Sequence, residues 1–225
     1  MLDNIVMVAT KFWGLFMTGL GYTLLLAAIT VFFGVIIGSL VAIMRMSKLS
    51  IGPVRPLSLI ATTYIEILRG TPLLLQLYVF YFLVPKLLPF EISAFSSVTL
   101  ALVINSTAYV AEIIRAGIEA VDKGQTEAAR SLGMSSSQTM LKIILPQAIK
   151  NILPALCNEF VTVVKETSLA STFFVGDLMT SFRKINGAVY LTLEPLIVVG
   201  IIYFVVTFTL SKGIGVLENK LKHGE

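Results

Sequence analysis

The sequence predicts an all-α, polytopic membrane protein that forms a single domain over residues 1–225. Hydrophobic residues make up 56% of the chain and charged residues only 13%, whereas a soluble domain carries about 25% charged residues. The mean hydropathy is +0.89, and several apolar runs reach the roughly 20 residues that a helix needs to cross the hydrocarbon core. We therefore expect a lipid bilayer as the solvent, and we exclude soluble enzymes and nucleic-acid-binding proteins.

About five segments are long and apolar enough to span a membrane. In chain order, these predicted spans are residues 20–44, 57–84, 97–114, 152–176 and 191–210. Before the first span, apolar residues recur at helical spacing among polar ones, which predicts an interfacial helix over residues 1–18. Gly70 and Pro72 interrupt the second span, and Pro154 and the polar stretch 165–168 interrupt the fourth. Broken helices of this kind leave polar main-chain groups inside the membrane.

The basic residues between the spans are distributed unevenly. Eleven of the 17 lysines and arginines lie in segments 45–56 and 115–150 and in the C-terminal tail, against four on the opposite side. Because positive loops stay in the cytoplasm, we expect the N-terminus outside and the C-terminus in the cytoplasm.

The sequence contains few residues of the types that catalysis or metal binding requires. Cys157 is the only cysteine and His223 the only histidine, so neither an intrachain disulfide nor a His/Cys metal cluster is expected. The phosphate-binding pattern G-x-x-x-x-G-K-[ST] is missing from the sequence. We therefore expect no catalytic residue, metal or cofactor here, and any hydrolysis of ATP must belong to a separate subunit.

The predicted cytoplasmic loop 116–150 is too polar to cross the membrane and too long for a simple turn. Residues 119–132 favour a helix that ends at Gly133, and serines 135–137 can cap a second helix, which Pro146 should limit. Two short helices held at the membrane surface indicate a docking element. A simple tether is the alternative.

The same loop contains a spaced motif. Glu127-Ala128-Ala129 is followed after three residues by Gly133, and after nine more by an Ile-Ile-Leu-Pro run at 143–146. This pattern resembles the EAA loop of ATP-binding-cassette (ABC) importer permeases. Small side chains let a helix seat closely against a partner, and a glycine allows a sharp turn. The resemblance implies that the motif couples this chain to an ABC nucleotide-binding subunit.

Three further stretches resemble the polar amino acid permeases of that superfamily, the histidine/glutamine/arginine type. They are residues 66–77, 108–117 and 165–171. The resemblance implies a second permease subunit, identical or paralogous, and an extracytoplasmic amino-acid-binding protein. It also implies that ATP and Mg bind the nucleotide-binding subunit, that transport is by alternating access, and that the complex lies in the cytoplasmic membrane of a prokaryote.

Seven polar side chains in three spans fall at a similar depth when counted at about 1.5 Å per residue. They are Glu66, Arg69, Asn105, Tyr109, Asn158, Glu159 and Thr162. Ionisable groups within spans are costly and usually face a cavity or a partner, so we expect these seven to form a substrate site. Arg69 suits a carboxylate, and Glu159 or Glu66 suits an ammonium or guanidinium group. For Arg69, an intrahelical pair with Glu66 is the structural alternative.

Glu159 decides the expected substrate class. The resemblance implies an uncharged amide at this position in most related permeases, whereas this chain has an acid. A buried carboxylate without a partner is expensive unless a cation neutralises it, which favours arginine, lysine or histidine as the substrate. The alternatives are a structural or protonated Glu159, a permease for neutral polar amino acids such as glutamine, and a secondary transporter driven by an ion gradient.

Overall fold

The computed structural model describes residues 1–223, and it describes side chains as far as residue 220. Within this part of the chain, all regular elements are helical except for one isolated bridge between Ile51 and Val54. The elements are α1 (Leu2–Lys11), α2 (Trp13–Arg45), α3 (Pro56–Gly70), α4 (Leu73–Leu87), α5 (Ala94–Glu119), α6 (Lys123–Ser131), α7 (Ser136–Thr139), a π-helical turn (Met140–Ile144), α8 (Leu145–Glu166), a 3₁₀ segment (Thr167–Phe173), α9 (Leu178–Val189) and α10 (Leu193–His223).

Four helical runs are long and apolar enough to cross a membrane. They are α2, α5, the continuous run 136–173 and α10. Helices α3 and α4 meet this test only as a pair, which is bent by 107° and makes a fifth candidate span. The predicted all-α, polytopic architecture is confirmed, and so is the break at Gly70 and Pro72.

Two proline predictions are wrong. Pro146 does not limit the helix that starts at Ser136, because the π-helical turn just before it widens the backbone and Pro146 lies in the first turn of α8. Pro154 does not interrupt the fourth span either, since α8 continues through it. The predicted break at 165–168 is confirmed: α8 ends at Glu166, and a 3₁₀ segment follows.

The chain also differs from the sequence prediction at its N-terminus and between the last two spans. The predicted helix over residues 1–18 is α1, which ends at Lys11, and α2 begins at Trp13. Helix α9 was not predicted, because it is too short and polar to span a membrane. The Asp177 carboxylate caps it by accepting a 2.9 Å hydrogen bond from the amide of Met179.

Helices α2 and α5 pack closely at the centre of the structure. A Cβ atom at Gly34 would lie 2.8 Å from the Ser106 hydroxyl, and one at Gly38 would lie 2.8 Å from the Cβ of Val110. Glycine at these positions therefore allows the close approach that drives helix association in lipid. The contact also fixes Ser106, which takes part in the site described next.

Candidate functional site

The break between α3 and α4 is held by one buried side chain, Gln76. Thr71 is extended because the following Pro72 disfavours the helical conformation. Gln76 Nε2 donates hydrogen bonds to the carbonyl oxygens of Leu68 (2.8 Å) and Thr71 (3.2 Å), which the break would otherwise leave unpaired. Asn105 Nδ2 of α5 donates in turn to Gln76 Oε1 at 2.8 Å. The predicted site residue Asn105 thus supports the break.

Sequence reasoning did not single out Gln76 as a functional residue. The available signal was an amide side chain in an otherwise apolar run, four residues after a helix-breaking proline. Such a side chain can replace the main-chain partners that the break removes. In the structure Gln76 is 6% exposed, so its hydrogen bonds are made inside the protein.

Glu159 lies deep between α5 and α8, where its side chain is 8% exposed. Its carboxylate accepts one long hydrogen bond, 3.4 Å from the Ser106 hydroxyl. No lysine or arginine among the described side chains forms an ion pair with it. The structure therefore brings Glu159 to α5, as predicted for a shared site, and leaves it without an ion pair among the described side chains.

Arg69 makes different contacts from those that its sequence neighbours suggest. Its guanidinium lies 3.8 Å from the Glu112 carboxylate of α5 and 5.6 Å from the ring centroid of Tyr109. No ion pair with Glu66 is found among the described side chains, so the intrahelical alternative is wrong. The Arg69 side chain remains 42% exposed, which leaves donors free for another group.

Glu112 is the centre of an arginine cluster. Its carboxylate forms ion pairs with Arg45 of α2 and Arg115 of α5, as well as the longer contact with Arg69. Arg115 also pairs with Glu119 one turn along α5. One carboxylate therefore ties α2, α3 and α5 together towards the predicted cytoplasmic side.

The remaining predicted site residues do not converge within this one chain. Glu66 and Asn158 are exposed, and Thr162 is half-buried. Among the described side chains, no hydrogen bond or ion pair links any of these three to Arg69 or Glu159. The chain itself thus assembles two separate clusters, one around Arg69 and Tyr109 and the other around Glu159 and Ser106.

The docking loop has the predicted first helix and glycine turn. Helix α6 ends in a Schellman motif, in which the Met134 amide donates to the Ala129 carbonyl (3.1 Å) and the Gly133 amide donates to the Arg130 carbonyl (3.0 Å). Gly133 has a φ of +79°, which side chains with a Cβ atom resist. Ser135 then opens α7 with a capping box completed by Gln138.

The exposed face of this loop differs from the one expected. Glu127 and Ala128 are exposed, but Ala129 is 5% exposed and packs inside the chain. Leu132, which the motif does not include, is 83% exposed beside the glycine turn. Glu127, Ala128, Leu132 and Gly133 are therefore all exposed on this loop, and within the motif only Ala129 is buried.

Residues 34–223 match the family described as binding-protein-dependent transport system inner membrane component. The arginine transport system permease protein ArtQ of Bacillus subtilis (strain 168) is 42% identical over 207 residues, which cover 92% of each chain. The putative glutamine transport system permease protein GlnP of Rickettsia bellii (strain RML369-C) is 41% identical over 199 residues, covering 88% of this chain and 89% of that protein.

The fold is also similar to that of a solved structure. A crystal structure of an amino acid ABC transporter with histidines superimposes with a TM-score of 0.89 and 46% sequence identity. The match covers 95% of this chain and 97% of that one. The helical architecture is therefore shared over nearly the whole chain.

Proposed function

This chain belongs to the family of binding-protein-dependent transport system inner membrane components and is the permease subunit of an amino-acid ABC importer, and on that premise we propose that it carries basic amino acids. The family resemblance drawn from the motifs is confirmed. As a multi-pass membrane component, the chain acts with a separate ATPase subunit in the general arrangement of such importers. Arginine, lysine and histidine are the proposed substrates.

The observation that supports this substrate class is that, among the described side chains, no cation forms an ion pair with the buried Glu159 carboxylate. Removing an ionised carboxylate from water is expensive when no partner compensates it. A guanidinium or ammonium group on a substrate would supply that partner, and the Ser106 hydroxyl would hold the carboxylate in place. An acidic substrate would be rejected by repulsion and by the cost of desolvation.

Arg69 is the proposed partner for the other end of the substrate. Its fork of donors suits the α-carboxylate of an amino acid. Tyr109 lies under the guanidinium and Glu112 beside it, so both orient the group without using all of its donors. Asn105 contributes indirectly by holding Gln76 and the helix break.

We assign Glu66, Asn158 and Thr162 to the wall of the substrate path. Glu66 and Asn158 are exposed on the surface of a single chain, and a second permease subunit, identical or paralogous, would complete the path around them. The site would then be shared between the protein and a partner of the same fold.

Transport follows the alternating-access scheme of the family. An ABC nucleotide-binding subunit, which carries ATP and Mg, would dock on the face formed by Glu127, Ala128 and Leu132. Closure of the ATPase pair would move this loop and rock the spans around the substrate. An extracytoplasmic amino-acid-binding protein would deliver the substrate at the cytoplasmic membrane of a prokaryote, with the N-terminus of the permease outside.

A permease for neutral polar amino acids is the second candidate. Its support is the similarity to a putative glutamine permease and the hydroxyl contact of Glu159, which a protonated carboxyl group could also make. In that case Glu159 would be neutral and would bind an amide side chain.

The two candidates are separated by measuring binding and uptake with the complete complex in proteoliposomes. For a basic-amino-acid permease we expect arginine and lysine to bind at least about tenfold more tightly than glutamine, and uptake to require ATP. Equal or tighter binding of glutamine would favour the neutral candidate. Uptake driven by an ion gradient without ATP would contradict both candidates and indicate a secondary transporter.

A further inference from the structure

We propose that a cavity between α8, the 3₁₀ segment, α9 and α10 is a second amino-acid site, which holds a substrate by its carboxylate. This inference rests on the proposed function, since it assumes that amino acids travel along this chain. The cavity is separate from the clusters around Arg69 and Glu159, and the sequence motifs do not assign it a ligand.

The cavity has a size and a lining that suit a small polar molecule. Its volume is about 550 Å³, within the range of roughly 300–1,000 Å³ that is usual for ligand sites. Aliphatic side chains of α9 and α10 form part of its wall. The polar residues of the wall are Lys165, Arg183, Ser168, Ser171, Thr172 and Tyr203.

The two cations form no close ion pair. Among the described side chains, neither Lys165 nor Arg183 lies within salt-bridge distance of an acid. Lys165 interacts electrostatically with its neighbour Glu166, and the Asp177 carboxylate caps α9. The Arg183 guanidinium lies 5.7 Å from the ring centroid of Phe174, a contact that orients it while leaving its donors free. A guanidinium with free donors, with a second cation on the same cavity, suits an anionic ligand.

The cavity favours a free amino acid over a phospholipid. The serine and threonine hydroxyls can accept hydrogen bonds from an α-ammonium group, while the cations bind the carboxylate. Lys165 also follows Glu159 by six residues, which is about 9 Å along α8. Six residues are about one and two-thirds turns, so the two side chains lie on different faces of α8 and the cavity is a site apart from the buried carboxylate.

The test is equilibrium binding of radiolabelled L-arginine and of agmatine, which is arginine without its carboxylate, to the purified complete complex. We expect arginine to occupy two classes of site and agmatine one. In Lys165→Gln/Arg183→Gln, the weaker class for arginine should lose at least about tenfold in affinity, while the tighter class is retained. Arg183→Lys should keep both classes.

Lys184→Gln is the matched control, because Lys184 is an exposed neighbour that does not line the cavity. It should bind like the wild type. If the double variant fails to assemble, Lys165→Gln and Arg183→Gln are measured singly, and unchanged weak-class binding in both would overturn the proposal.

Two other results would also overturn it. The first is unchanged binding of both classes in the double variant. The second is that the double variant loses a co-purified phospholipid in native mass spectrometry while its arginine binding is intact. That result would make the cavity a lipid site. A wild-type complex that binds no basic amino acid at all would instead contradict the proposed function, so the two failures are distinguishable.

Discussion

Glu112 and Glu159 are carboxylates of the same type in two membrane-spanning helices, yet their surroundings are opposite. Glu112 is paired with arginines from α2 and α5 and also lies near Arg69 of α3. Glu159 is more deeply buried and has one long hydrogen bond from a serine. The first carboxylate is neutralised by cations of its own chain, whereas the second has no cationic partner in the part of the chain whose side chains the structure describes.

This difference separates a structural acid from a functional one. A carboxylate that several cations surround stabilises the packing of the helices that bring them, and removing it leaves those cations repelling one another. A buried carboxylate without a cation destabilises its own chain until a ligand arrives. The residue type is the same in the two cases, so the role of each acid has to be inferred from its partners.

The largest change is expected in the stability of the Glu112→Gln variant. Losing this charge should lower the free energy of unfolding by about 3 kcal/mol, because three guanidinium groups would remain close together without their shared counter-ion. The measurement is thermal or denaturant unfolding of the purified protein. Glu119→Gln is the matched control, since Glu119 is an exposed partner of Arg115 and should cost less than about 1 kcal/mol.

The same assay applied to Glu159→Gln sharpens the comparison. Removing an unpaired buried charge should leave stability unchanged or raise it. A loss as large as that of Glu112→Gln would mean that Glu159 is also structural.

Arg69, which lies 3.8 Å from the Glu112 carboxylate, should give the next largest effect. If it binds the substrate's α-carboxylate, Arg69→Ala should weaken amino-acid binding by about 1.5–3 kcal/mol, which is tenfold or more. Binding of the decarboxylated amine should change much less. Equal losses for the amino acid and the amine would contradict this role.

A substitution at Gly133 alters the docking loop without changing either carboxylate. At its φ of +79°, a β-branched residue carries about 1–3 kcal/mol of strain. Gly133→Val should therefore reduce substrate stimulation of the ATPase in the assembled complex while substrate binding is kept. Gly133→Asn, which tolerates this conformation, should retain most of the stimulation. Full stimulation in the valine variant would show that the turn is not needed for docking.

Local rules predicted much of this structure from the sequence. The long apolar runs, the break at Gly70 and Pro72 and the turn at Gly133 follow from hydropathy and from backbone preferences. Pro146 and Pro154 misled the prediction because a local rule treats proline as a helix terminator, whereas the tertiary structure accommodates both.

Partners that are distant in sequence could not be predicted. Arg45 and Glu112 are 67 residues apart, and the Gln76–Asn105 hydrogen bond joins two helices. Nor does a motif show which side of α6 faces the protein, so the burial of Ala129 and the exposure of Leu132 emerged only from the packing. The alternative of a Glu66–Arg69 pair was wrong, because i, i+3 spacing does not take account of Glu112 on another helix.

Glu159 is proposed to bind the cationic side chain of the substrate. Measuring amino-acid binding to the purified Glu159→Gln complex tests this role most directly. We expect the affinity for arginine or lysine to fall by at least about tenfold, roughly 1.4 kcal/mol, with glutamine binding unchanged or improved. Histidine should bind the wild type more tightly below its imidazole pKa of about 6.5, and this dependence should fade in the variant. If Glu159→Gln binds arginine as tightly as the wild type does, Glu159 does not recognise the substrate and the proposed preference for basic amino acids is contradicted.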